Sequence, residues 1–256
     1  LRQIVNLGLR GLWRVYRRAT RIVAVSDGVA DEIARLAGLP PGAVTTVYNP
    51  IVDDSLAERA KAPLVHPWLE PGQPPVLLAV GCLWPQKDYP TLLEDFAIAR
   101  KSRPLRPVIL GRGPVRSKLQ DMTVALGVAP DVHLFDYAEN PIAWMARASL
   151  LVLSSVYEGL PAVLIEALAC GCPAVSTDCP SGPSEILDKG TSGRLVPCRD
   201  PAALAASILA TLDEPVERQW LRDAARTFDS QRSIDRYLSI FEDATARHRS
   251  DLTARR

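Results

Sequence analysis

SSVYEGLPAVLIEALACGCPAVSTDCPSGPSEIL, residues 154–187, follows the apolar run LLVL at residues 150–153. Four apolar residues in a row predict a buried strand. Pro161 then predicts a helix start, because its fixed φ suits a first turn and its missing N–H costs nothing there. The first-turn amides point at an open loop, where leftover N–H groups and the positive end of the helix dipole suit a phosphate. Two carboxylates bracket that loop. Glu158 lies before the helix, and Glu166 lies on it, about 7 to 8 Å along the axis from Pro161 at 1.5 Å per residue. Helical side chains lean toward the N-terminus, so Glu166 is expected to reach the same crevice. A second loop, residues 180–183, leads on to Glu185.

Outward from this stretch the chain alternates. Strands are expected at residues 76–80, 107–110, 132–135, 150–153, 174–176 and 194–196, and helices at 90–101, 115–126, 141–148, 161–169, 183–187 and 202–212. Short strands alternating with helices of about ten residues imply parallel βαβ units, so the fold class is α/β, with a Rossmann-like doubly wound parallel sheet. Ligands of such sheets bind outside the carboxyl ends of the strands, which is where the loops after residues 80, 110, 135 and 153 fall. Nearer the start, residues 22–25 read as a strand, Ser26 or Asp27 caps a helix through Leu36, and residues 44–48 form a second strand closed by Asn49-Pro50. Residues 51–75 carry Pro63, Pro67, Pro71, Pro74 and Pro75 with little apolar period, and read as a linker or inter-domain wrap. Past Glu214, helices are expected at 216–226 and 233–246, before a basic tail.

Composition bounds the function. The 256 residues suffice for one large domain or two small ones, and 47% hydrophobic with 23% charged residues is the balance of a globular chain. A net charge of +1 leaves no nucleic-acid footprint in the total, although residues 1–21 carry six Arg and no acid. No apolar run is long enough to span a bilayer, and the Arg-rich start lacks the apolar centre of a signal peptide. Ile4, Leu7, Trp13 and Tyr16 stand among those arginines. Two readings follow: an amphipathic helix lying on anionic lipid, or a surface helix of a domain outside this sequence, with Gly8 and Gly11 weakening either helix on its own. The chain begins inside a helical pattern rather than at a methionine, as a fragment or processed chain does.

Five cysteines, Cys82, Cys170, Cys172, Cys179 and Cys198, are odd in number and form no CxxC pair. Reduced thiols are expected rather than a disulfide framework or zinc site, with Cys170 and Cys172 small and buried around Gly171. No Asp, His or Cys cluster has metal-ligand spacing, no DxD pair occurs, and no GxSxG elbow marks a serine hydrolase. His133 reads as a strand residue, and His66 and His248 fall in the linker and the tail.

The words EGLP at 158–161, VLIEALACG at 163–171, STDC at 176–179 and SGPSEIL at 181–187, with Glu158 and Glu166 separated by seven residues, also resemble the signature of family 4 glycosyltransferases. These are retaining enzymes of the GT-B fold. The resemblance runs from about Ile22 to the last helix. It implies that residues 1–50 end an N-terminal, acceptor-side domain, that 51–75 link it to a nucleotide-sugar-binding Rossmann-like domain at 76–230, and that 231–256 are the C-terminal return helix and tail. The loop Gly81-Cys82-Leu83-Trp84-Pro85-Gln86-Lys87-Asp88 matches a family loop that usually has Gly-Arg-Leu with a Lys five residues after the Arg. Lys87 fits and Cys82 departs. Gly111-Arg112-Gly113-Pro114 resembles the family's Gly-x-Gly-Pro, its other reading being a plain turn before a helix, and Arg112 is a candidate to assist the phosphates. Residues 136–141 stand where the family reads the nucleobase, with Asp136 in place of a common Gly and Tyr137 there to stack or to pack.

By resemblance the catalytic residues are Glu158 and Lys87, and the donor is bound by Gly81, Gly111, Tyr137, Gly159, Leu160, Pro161, Ala162, Val163 and Glu166. Glu166 would hold the ribose hydroxyls and Glu158 those of the transferred sugar. The amides around Gly159 to Val163, with Lys87, would stabilise the departing diphosphate. The implied reaction moves a sugar from a nucleotide-diphosphate sugar, a UDP-sugar in particular, to a glycan or lipid-linked acceptor with retention of configuration. This chain would be the donor-binding part of a hexosyl- or N-acetylhexosaminyltransferase that needs no metal or cofactor. Its partners are the nucleotide sugar and the acceptor, with no nucleic acid, in a cytoplasmic setting with peripheral contact at the inner membrane face through the basic start. Two alternatives stand beside this: a nucleotide-sugar-binding module without turnover, favoured by Cys82, and a GT-B nucleotide-sugar epimerase.

Overall fold

The computed structural model describes residue 16 and residues 18–254, with side chains up to residue 246. Two compact units divide the chain: Leu1–Pro50 together with Phe228–Arg256, and Ile51–Thr227. In the first, β1 (Ile22–Ala24) pairs in parallel with β2 (Val44–Thr46), and α1 (Asp27–Ala37) joins them. Ser26 starts α1 in an extended conformation, its Oγ accepting the Val29 N–H at 3.3 Å. Ile22, Ala24, Ala30 and Val44 form its small core. A long helix, Ser230–Ala254, belongs to the same unit. The Phe228 ring lies 4.9 Å from that of Tyr48, and Asp243 pairs with Arg21 at 3.4 Å. The amphipathic helix expected over residues 1–20 lies almost wholly outside the described residues.

The larger unit runs α2 (Asp54–Lys61), β3 (Val76–Val80), α3 (Tyr89–Ala99), β4 (Arg106–Leu110), α4 (Arg116–Ala125), β5 (His133–Phe135), α5 (Pro141–Met145), β6 (Leu150–Leu153), α6 (Ala162–Ala169), β7 (Ala174–Thr177), α7 (Pro183–Ile186), β8 (Arg194–Val196), α8 (Pro201–Asp213) and α9 (Arg218–Ala225). Its strands pair in parallel in the order β5-β4-β3-β6-β7-β8. Both faces are covered, as a parallel sheet requires. Leu77, Ala79, Ile109, Leu150, Val152 and Val175 bury against Leu92, Phe96, Leu204 and Ile208 of α3 and α8. The alternate residues Leu78, Val108 and Leu151 are fully buried on the opposite face. Each such side chain contributes about 1.5–3 kcal/mol on leaving water.

Residues 51–75 depart from the linker expected of them, since they carry α2 and a 3-10 turn, Pro67–Leu69, and group with the sheet. Asp53 caps α2 by accepting the Leu56 N–H at 3.0 Å, and Leu56 is its one buried side chain. A helix with a single buried residue shows no apolar period, which is why the sequence hides it. Asn140 and Arg147 hold its end, donating to the carbonyls of Arg59, Ala60 and Ala62 at 2.8–3.2 Å. Other boundaries move by a few residues: α5 stops at Met145, α9 starts at Arg218, and the last helix begins at Ser230.

From β3 the chain steps outward to β4 and β5, then returns to the other side of β3 as β6. This reversal is the topological switch point of a doubly wound sheet. Ligands of doubly wound sheets bind outside the carboxyl ends of the strands at such a point, where the loops after β3 and β6 lie.

Candidate functional site

Both loops at the switch point are knotted together by their own polar groups. The Val156 N–H donates to Gln86 O at 2.9 Å and Ser154 Oγ donates to Lys87 O at 2.7 Å. Across this join Lys87 Nζ meets Glu158 Oε1 at 2.6 Å. Their side chains are only 16% and 9% exposed, so water screens the pair weakly. Ser155 Oγ donates to the same carboxylate oxygen at 2.6 Å, and Gln86 Nε2 donates to Tyr157 O at 2.8 Å beside it. The fully buried Ser155 is itself anchored, its carbonyl accepting from Thr177 Oγ1 at 2.5 Å. Ser155 and Gln86 belong to the candidate site, although no motif in the sequence marks them. The only sequence signal for them is adjacency to Glu158 and Lys87.

Neighbouring loops close on this pair. Gly81 N donates to Leu110 O at 3.0 Å, Leu83 N to Arg112 O at 2.7 Å, and Glu158 N to Pro180 O at 3.3 Å. At Gly111 a Cβ would lie 1.9 Å from Gly81 O, so only glycine lets the loops after β3 and β4 touch. Gly182, at φ +95°, is equally constrained: a Cβ there would sit 2.5 Å from Pro161 Cδ. Gly111 thus shapes the crevice through its backbone.

Helix α6 starts at Ala162, with Pro161 outside it at the N-cap rather than in its first turn as the sequence suggested. Pro161 offers no side-chain acceptor, so the amides of Ala162 and Val163 keep the donor capacity that a helix start leaves over. An anion seated there would meet these amides with the helix dipole behind them. Glu166, one turn further, is half-buried and makes no hydrogen bond to a described side chain. Burial pushes its carboxyl above the usual range, and Arg59 of α2 pulls it partly back. Arg59 carries no signal in the sequence, because α2 buries a single residue and shows no apolar period.

Cys82 is exposed. Tyr137 is 68% exposed and so does not pack, and the Arg112 guanidinium lies 5.7 Å from its ring centroid. Asp136 pairs with Arg116 at 2.9 Å rather than opening the loop as a glycine would. Behind this loop His66 and His133 meet, Nε2 to Nδ1 at 3.3 Å, among Trp68, Phe135 and Trp144. His66 Nδ1 accepts the Trp68 N–H, so its Nε2 carries the proton and donates to His133. Burial lowers both pKa values. Burial also pushes Cys170, Cys172 and Cys179 up to about 12, which makes them inert thiols. Among the described residues no group of three or more His, Cys, Asp or Glu is placed to hold a metal, and no helix is long and apolar enough to cross a membrane.

A parallel, doubly wound sheet with an acid–lysine pair and an uncapped helix start at its switch point defines the class: a Rossmann-like domain of the GT-B kind. Comparison with known proteins takes the assignment one step further. The model of the glycosyl transferases group 1 matches residues 74–214, more than half of the chain, and that of Glycosyltransferase Family 4 matches residues 2–55. The chain belongs to the group 1 glycosyl transferases. D-inositol 3-phosphate glycosyltransferase 2 of Catenulispora acidiphila is 33% identical over 221 residues, 79% of this chain and 50% of that protein. The N-acetylgalactosamine-N,N'-diacetylbacillosaminyl-diphospho-undecaprenol 4-alpha-N-acetylgalactosaminyltransferase of Campylobacter jejuni is 27% identical over 83% of this chain and 56% of its own length. The chain thus spans about half the length of the curated relatives it matches. Among solved structures, Anabaena Alr3699/HepE in complex with UDP and glucose superposes with a TM-score of 0.79 at 20% identity, over 93% of this chain and 67% of that one. At that identity the likeness is one of fold.

Proposed function

We propose that this chain forms the donor-binding part of a glycosyltransferase, which moves a sugar from a nucleoside diphosphate, UDP in the first instance, to a glycan or lipid-linked acceptor with retention. The Lys87–Glu158 pair, set at the switch point beside the start of α6, carries the reading. Lys87 has three N–H donors and spends one on Glu158, which leaves two for phosphate oxygens. The amides of Ala162 and Val163 add neutral donors from the same side. Negative charge grows on the diphosphate as the glycosidic bond breaks, so donors fixed there favour the transition state over the ground state. Glu158, held by Ser155, faces the transferred sugar's hydroxyls, and Glu166 faces the ribose. The acceptor attacks on the face that the leaving group vacates, and no protein nucleophile or metal enters the scheme. Relatives named for undecaprenol-linked and lipopolysaccharide substrates support the acceptor class, and the neighbour holding UDP supports the base.

Calorimetry of the whole chain with UDP and with UDP-sugars tests this. Glu166→Ala is expected to weaken both ligands by about 1.5–3 kcal/mol, the worth of hydrogen bonds to a charged group. Glu158→Gln is expected to weaken the UDP-sugar and spare UDP. Equal effects of both changes on both ligands would sink the assignment of the two acids. Cys82, standing where an Arg is usual, favours a second reading in which the chain binds the donor without turnover; transfer to an added acceptor separates the two.

A further inference from the structure

At the far end of the sheet from this crevice lies a cavity of about 470 Å³, formed where β7 and β8 begin, by the loop after α7 and by the junction of α8 with α9. Its size falls in the range of small-molecule pockets, about 300–1,000 Å³. Trp220 of α9 forms one wall and is 40% exposed, because α9 turns Leu221 and Ala225 inward instead. Arg194 and Glu214 pair with each other at the rim, so the cavity carries both signs of charge and little net charge. Ser192 is only 4% exposed and lines the cavity, yet its hydroxyl makes no hydrogen bond to any described residue. A hydroxyl that opens on a cavity is met there by water or by a polar group of a ligand.

The lining selects a chemistry. An anion is opposed by Glu214 and a cation by Arg194. A purely apolar molecule would strip water from Ser192 and from the ion pair without replacing it. A neutral ring with an apolar face and a polar edge fits this lining. The flat face of Trp220 takes the C–H face, while a carboxylate, a guanidinium and a hydroxyl take the edge. We propose that this cavity is a saccharide-binding subsite, which holds one or two neutral sugar rings stacked on Trp220 with their hydroxyls on Glu214, Arg194 and Ser192. It is separate from the donor crevice, since the two lie at opposite ends of the strands, and both can be filled at once. The inference stands on the cavity's own chemistry and does not rest on the proposed transfer reaction.

Saturation-transfer NMR and calorimetry on the whole chain decide it, with glucose, galactose, N-acetylglucosamine, maltose and cellobiose as probes. At least one probe is expected to bind. Trp220→Ala should weaken it about tenfold, Trp220→Phe should keep most of the binding, and Glu214→Ala should weaken it several-fold. UDP affinity should stay the same in all three variants. Should Trp220→Ala fail to fold by circular dichroism, Glu214→Ala decides, because that side chain is exposed and carries no packing. Absence of binding by every probe overturns the proposal, as does sugar binding that both variants leave intact. Sugar binding that UDP displaces also overturns it, because the sugar would then occupy the crevice.

Discussion

Glu158 and Asp95 are both acids withdrawn from water in the same unit, and they are treated in opposite ways. Glu158 sits at the sheet's carboxyl end with Lys87 and Ser155 on one of its oxygens. Asp95 lies on α3 with no exposure at all, and neither of its carboxyl oxygens has a partner among the described residues. Burial pushes the Asp95 carboxyl well above the usual range, so it is held as the neutral acid. A withdrawn acid beside a fixed cation is compensated, whereas one without a partner weakens the fold. The difference lies in what the topology brings opposite each residue.

The largest expected effect tests the paired acid. Lys87→Ala strands a desolvated carboxylate, and a loss of about 3–5 kcal/mol in urea unfolding is expected. Glu158→Ala should cost a similar amount, and the double variant clearly less than the sum. Strict additivity would show that the two residues do not act as a unit, and the contrast with Asp95 would collapse.

Asp95→Leu is expected to act in the other direction and stabilise the chain by about 1–3 kcal/mol at neutral pH, since it removes an unsatisfied buried carboxyl. The pH dependence follows from the raised value. Between the unfolded and folded pKa the native state holds the proton that the unfolded chain has lost, so stability falls as pH rises above the ordinary carboxylate range. Unfolding followed from acid to neutral pH should show this decline in the parent and lose it in Asp95→Leu. A flat parent profile would mean that Asp95 has found a partner.

The smallest effect concerns charge placed in the open part of the crevice. Cys82→Arg should tighten UDP by about 1 kcal/mol, less at high ionic strength, and leave uridine unchanged. Because Cys82 is exposed, the added cation should leave the melting temperature intact. Iodoacetamide should likewise reach Cys82 well before Cys170, Cys172 or Cys179, and UDP should slow it. A stable Arg variant with no phosphate-dependent gain would move this loop away from the diphosphate.

Much of this architecture is local and therefore legible in the chain. The alternation of short apolar runs with amphipathic segments specifies parallel βαβ units, and Pro161 with its bracketing acids marks the start of the helix after β6. Even the burial of Asp95 is implied by spacing, as it falls three residues after Leu92 and four before Ala99, on the inward face of α3. Its lack of a partner is not implied, because partners come from other elements. The same holds for Lys87 and Glu158, which are 71 residues apart and meet only because β6 returns to lie beside β3. Arg59 near Glu166, and His66 against His133, likewise depend on where residues 51–75 pack, a stretch with too few apolar residues to announce a helix. Periodicity reports which face of an element leaves water; strand order decides which charges then face one another.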